Sequence, residues 1–177
     1  MKKICSAVPL TVVLFLATFW LGVGVQAAYA VPKSEGNAAA AFNKLKSLAG
    51  TWEATTQKGQ VTTTYEVVSN GSAVLERLRV PGETEMVTVY NLDGNKLVLT
   101  HYCSAGNQPR METSGLSPDG ELVFNFAGGD NLSDPNAGHM HHAVLKFGGA
   151  DDFTYDWTFQ QDGKPRFTEN IHYIRVK

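Results

Sequence analysis

The segment Glu85-Met-Val-Thr-Val-Tyr-Asn-Leu-Asp-Gly-Asn-Lys-Leu-Val-Leu-Thr-His-Tyr102 decides the fold. Glu85 to Asn91 and Lys96 to Tyr102 are short and rich in β-branched and aromatic side chains, the composition of strands. Asp93-Gly94 between them supplies the positive φ that a tight hairpin turn demands. A connection this short makes the two strands antiparallel neighbours, because a parallel pair needs a long crossover.

The same unit recurs along the rest of the chain. Thr51 to Gln57, Gln60 to Ser69 and Ala73 to Val80 precede it. Arg110 to Ser114, Glu121 to Ala127, Met140 to Phe147, Asp152 to Gln160 and Arg166 to Val176 follow, giving about ten candidate strands. Between successive segments stand Lys58-Gly59, Asn70-Gly71, Pro81-Gly82, Pro118-Asp119-Gly120, Gly148-Gly149 and Asp162-Gly163. Such punctuation pairs each strand with the next in up-and-down order. A twisted meander of this size hides its edges best by closing on itself. The expected fold is therefore all-β, an antiparallel barrel of about ten strands. Ala38 to Leu48, with Phe42, Leu45 and Leu48 at helical spacing and Gly50 as the stop, is the one expected helix.

The first thirty residues read as an address rather than as fold. Lys2 and Lys3, an apolar run from Val8 to Val25, and Ala28-Tyr29-Ala30 make a cleavable signal peptide, residues 1–30. Residues 31–50 are then a linker and helix, and 51–177 the barrel. The destination is secreted or periplasmic, with no membrane association after cleavage. Of the two cysteines in the 177-residue chain only Cys103 survives removal, so no internal disulfide forms and a core must hold the domain. A formal charge of -2 excludes a strongly basic nucleic-acid binder, since no cation surplus is left to neutralise phosphates.

Gly50-Thr51-Trp52 stands where the helix meets the first strand, and Arg175 lies on the last strand, where its guanidinium can reach that indole. In these residues the chain resembles the calycin superfamily (lipocalins, fatty-acid-binding proteins and nitrobindins), which share an N-terminal Gly-x-Trp and a late-strand Arg. It is also similar to a group of bacterial secreted lipocalin-like proteins, through Leu48-Ala-Gly-Thr-Trp52, His101-Tyr-Cys103, Asn107-Gln-Pro-Arg-Met111 and Gly138-His-Met-His-His142. The resemblance implies a barrel closed by Trp52 and Arg175 around a ligand-sized interior, without a particular activity.

Ten strands enclose more space than side chains alone fill in an eight-stranded barrel, so an internal cavity is expected. Phe153, Tyr155, Trp157 and Phe159 alternate as a wall favouring apolar cargo. Polar chemistry gathers in three places: His101 and Cys103 ending an apolar strand, Asn107 and Arg110 after Gly106, and His139 and His141 opening another strand. The expected partner is a small apolar or amphipathic molecule whose head group meets His101, Asn107, Arg110 and His141, with the Arg110 guanidinium suited to an anion. The alternative is a bound metal. Two imidazoles at i, i+2 on a strand lie about 7 Å apart at the backbone, and His139 with His141, joined by His101 and Cys103, makes an N/S set for zinc or copper. Nitrobindins hold haem through a late-strand histidine, and His172 is the residue here that would do so. An enzymatic reading needs Cys103 beside a histidine base; no nucleophile elbow, phosphate loop or zinc-protease motif accompanies it, which weighs against catalysis.

Overall fold

A computed structural model describes residues 37–177 apart from Pro135. The expected signal peptide and most of the linker lie outside the described residues. Helix α1 (Asn37–Lys46) leads into ten strands: β1 (Gly50–Thr56), β2 (Gly59–Val68), β3 (Ala73–Arg79), β4 (Met86–Asp93), β5 (Lys96–Tyr102), β6 (Gln108–Thr113), β7 (Leu122–Asp130), β8 (His139–Phe147), β9 (Asp152–Gln161) and β10 (Lys164–Arg175). Each pairs antiparallel with its sequence neighbours, and β10 returns to β1, so the sheet is a closed up-and-down barrel. This architecture is consistent with a calycin-like fold.

The hairpins follow from local sequence. In Gln161-Asp162-Gly163-Lys164 the outer residues pair, and both central residues hold positive φ, 54° and 67°, the pattern of a type I′ turn. The β4–β5 turn differs from the expected one. Asp93 pairs with Lys96, so the two-residue loop is Gly94-Asn95, with Gly94 alone at φ 60° as a type II′ turn requires.

One end of the barrel is closed. Ala41, Phe42 and Leu45 of α1 are buried in the same core cluster as Trp52, Leu97, Leu122 and Phe153. The Trp52 indole Nε1 donates to the Leu48 carbonyl at 2.7 Å. Arg175 lies 4.0 Å above the Trp52 ring and donates to three carbonyls, Ala49 at 2.9 Å, Ser47 at 3.1 Å and Ala150 at 3.1 Å. It thereby caps the Ser47 and Ala49 carbonyls that follow the end of α1 and ties them to the β8–β9 turn through Ala150. Gly50 is required here: its φ is 130°, and a Cβ would stand 2.9 Å from the Arg175 guanidinium.

The interior is not an open tube. Trp52, Phe153 and Tyr173 fill the helix end, with Trp52 edge-on to Phe153 at 4.8 Å and Phe153 stacked on Tyr173 at 4.9 Å. Farther in, Tyr90 of β4 and Tyr155 of β9 meet hydroxyl to hydroxyl at 3.1 Å across the lumen. Large aromatic side chains thus fill the space that strand number alone leaves open.

Candidate functional site

The opposite end carries the turns β1–β2, β3–β4, β5–β6, β7–β8 and β9–β10, and here two ladders come apart. The β1–β10 pairing consists of Trp52↔Arg175 and Glu53↔Ile174. Beyond it the strands diverge around a pocket of about 1060 Å³. Its lining alternates between wall faces: Ala54, Val61, Val80 and Ile171 give it an apolar inner side, while Glu53, Thr55, Asn170 and His172 form the outer rim. Lys58 bridges its mouth, bound to Glu83 at 2.7 Å and Glu169 at 3.3 Å. Glu169 lines the pocket and is the β10 partner of Trp157 on β9, whose ring is buried in the core beyond the lining.

That ring leads to the most unusual side chain of the interior. His101 of β5 stacks on Trp157 with centroids 4.9 Å apart and is only 3% exposed. Its Nδ1 lies 3.0 Å from the Thr88 hydroxyl, while its Nε2 is buried without a hydrogen-bond partner. Burial pulls the imidazole down from its ordinary 6.5 to about 4, so the ring is neutral at physiological pH.

Next to Thr88 in the β3–β4 ladder stands Glu76, 2% exposed. Tyr90 donates to its carboxylate at 2.6 Å and Thr63 at 3.2 Å. Burial raises the Glu76 carboxyl, and the hydroxyls of Tyr90 and Thr63, which donate to it, pull it back by stabilising the charge. An acid inside an apolar wall is tolerated here because hydroxyl donors face it on several sides. Sequence reasoning passed over Glu76. The signal was present in Val74-Leu-Glu-Arg-Leu78, where alternation puts the acid on the same face as Val74 and Leu78.

The remaining candidates are dispersed. Asn107 is buried in the β5–β6 turn; its Nδ2 donates to the Gly138 carbonyl at 2.8 Å, and its Oδ1 is buried without a partner. Cys103 is half-buried in the same turn, which is held by Cys103 N–H to the Asn107 carbonyl at 3.1 Å. Arg110, expected to meet an anionic head group, instead projects from the outer face and pairs with Asp93 at 2.8 Å. The reason is alternation: Met111 and Pro109, its neighbours, are the buried ones. His172 is also outward, beside Asp152 at 3.3 Å, and so does not present a lumenal ligand to a haem.

His139 and His141 are likewise not grouped with His101. The β7–β8 ladder stops at Asn125↔His142, and a bulge between Met140 and His142 bends β8. Phe126, His139 and His141 fill the gap between the diverging strands, the phenyl ring 4.4 Å and 5.0 Å from the two imidazoles. His139 Nδ1 faces the Ala137 carbonyl at 2.7 Å and its Nε2 meets His141 Nδ1 at 3.0 Å. Among the described residues no group of three or more His, Cys, Asp or Glu converges as a metal set. The expected set of His101, Cys103, His139 and His141 is therefore not assembled.

No family model and no curated protein matches this chain. What the geometry offers chemically is a neutral imidazole with one unpartnered nitrogen against an aromatic ring, a buried amide oxygen, and, along the diverging β1 and β10 strands, a pocket with an apolar inner side.

Proposed function

We propose that the chain is a secreted or periplasmic lipocalin-like protein that holds a small, mostly apolar molecule at the open end of its barrel. The observation that carries this reading is the orphaned Nε2 of His101. A buried polar atom without a partner costs about 1–3 kcal/mol, and native interiors contain few of them. His101 Nε2 and Asn107 Oδ1 both belong to the open end, where a ligand bringing hydrogen bonds would offset the cost. The pocket of about 1060 Å³ with its Ala54, Val61, Val80 and Ile171 side suits the apolar body of such a ligand. The Gly50-x-Trp52 and Arg175 closure supports the lipocalin-like assignment, and the basic, then apolar, then Ala-x-Ala start of the sequence supports export.

Native mass spectrometry of the protein purified from its own host tests the binding reading. The expected result is a non-covalent adduct of small-molecule mass that is depleted in His101→Phe. Wild-type protein that carries no adduct, and whose melting temperature is unmoved by a lipid extract of the host, would defeat it.

A further inference from the structure

The cleft between β1 and β10 is lined by consecutive residues of both strands, 53–58 and 168–172, because the ladder stops at Glu53↔Ile174 and the strands part beyond it. Its inner side is apolar: Ala54, Val61 and Ile171 are buried there. Glu169 shares the inward face of β10 with buried Ile171 and Tyr173, so a carboxylate stands where that apolar floor meets the mouth.

A cation of the protein's own occupies the mouth. Lys58 extends from the β1–β2 turn, and its Nζ sits between Glu83 Oε1 at 2.7 Å and Glu169 Oε1 at 3.3 Å. In chemical terms this is an alkylammonium, an apolar stem ending in a compact positive charge, held between carboxylates from two other elements. The bond to Glu83, first among the causes, raises the Lys58 ammonium above its ordinary value.

One ammonium does not neutralise the place. Glu53 also lines the cleft, and its partner at 2.6 Å is the neutral Gln60 amide. Glu53, Glu83 and Glu169 therefore outnumber Lys58, which is the only Lys or Arg among the described lining residues. Its side chain is also 52% exposed. Ion pairs so exposed are weakly held, so another cation displaces this one at little cost. We infer that the bound molecule, on the small-molecule reading above, is an amphiphile carrying a primary ammonium. That head group takes the place of the Lys58 ammonium between Glu83 and Glu169, with its apolar chain on the Ala54, Val61 and Ile171 floor. Lys58 is then a built-in competitor that lowers the affinity.

Three probes of matched length separate the possibilities: decylammonium, 1-decanol and decanoate. Each is titrated at pH 7.5 into the exported protein and followed by calorimetry. Decylammonium is expected to bind about three- to fivefold tighter than the alcohol, the value of exposed ion pairs, with decanoate weakest. Added salt should erase that preference. Lys58→Met keeps an apolar stem but vacates the place, and should tighten decylammonium by about threefold while leaving the alcohol unchanged. Glu169→Gln should shrink the preference. Glu112→Gln on β6, across the barrel, should not, and an equal loss there would mean a general charge effect and overturn the inference. Alcohol or decanoate binding as tightly as decylammonium, or Lys58→Met weakening the ammonium, would also overturn it while leaving the binding reading intact. If none of the three binds the wild type, the binding reading itself falls with it.

Discussion

Replacing His101 by Phe separates a binding residue from a structural one. The phenyl ring keeps a flat surface against Trp157 but removes both nitrogens. The loss is the Nδ1 bond to Thr88, worth about 1 kcal/mol, and the gain is removal of a buried orphaned nitrogen, worth about 1–3 kcal/mol. At pH 7 the ligand-free variant is therefore expected to match the wild type or exceed it by up to about 2 kcal/mol. The acid side adds an independent signature. His101 titrates near 6.5 unfolded and about 4 folded, so the unfolded chain binds the proton first. The corresponding stability is present above the unfolded value and is lost as pH falls toward the folded one. Between pH 7 and pH 5 this removes about 2 kcal/mol from the wild type. The variant has no such group, so its advantage should widen by about that amount at pH 5. Urea unfolding of both proteins at the two pH values measures it. A variant that is more than about 1 kcal/mol less stable at pH 7, or an advantage that stays constant with pH, would refute the reasoning.

Two further outcomes follow from the same geometry and one from the N-terminal sequence. Glu76 is a carboxyl raised by burial, so its contribution to stability is fully present below the ordinary carboxylate value of 4.5 and is lost as pH rises through its folded value; Glu76→Gln should accordingly gain on the wild type as pH rises, read by urea midpoints across the range. Arg175→Ala removes three carbonyl bonds and the cover of Trp52, and should destabilise by about 2–4 kcal/mol in chemical unfolding. Arg175→Lys, which cannot form the same fork, should recover less than half of that. N-terminal sequencing of the exported protein should begin at Val31.

The fold was legible because backbone conformation and turn chemistry are local. Asp162-Gly163 and Asn70-Gly71 announce their positive φ values by residue type, and each fixes an antiparallel pairing without knowledge of the rest of the chain. Closure was legible for the same reason, since Gly50, Trp52 and Arg175 lie at the two ends of one meander. The site was less so. His101, Asn107 and Trp157 were visible as chemistry-bearing residues, and alternation separates Arg110 from buried Pro109 and Met111 without saying which face is inward. The placement of His139 and His141 depends on where ladders shift or stop, and the bulge between Met140 and His142 depends on how neighbouring strands fit, which alternation within one strand does not encode. Glu76 was missed because a single acid in a strand reads as a solvent-facing residue. Only the side chains of β2, β4 and β9 around it show that hydroxyls replace the water.

The unpartnered Nε2 of His101 is the atom a bound molecule must reach, and long-range proton–nitrogen NMR of the imidazoles observes it directly. The ligand-free protein at pH 7 should show His101 neutral, and its Nε2 resonance should move toward the hydrogen-bonded position when a lipid extract of the host is added. A His101 that is charged at pH 7, or an Nε2 signal that the extract does not shift, would contradict the binding reading.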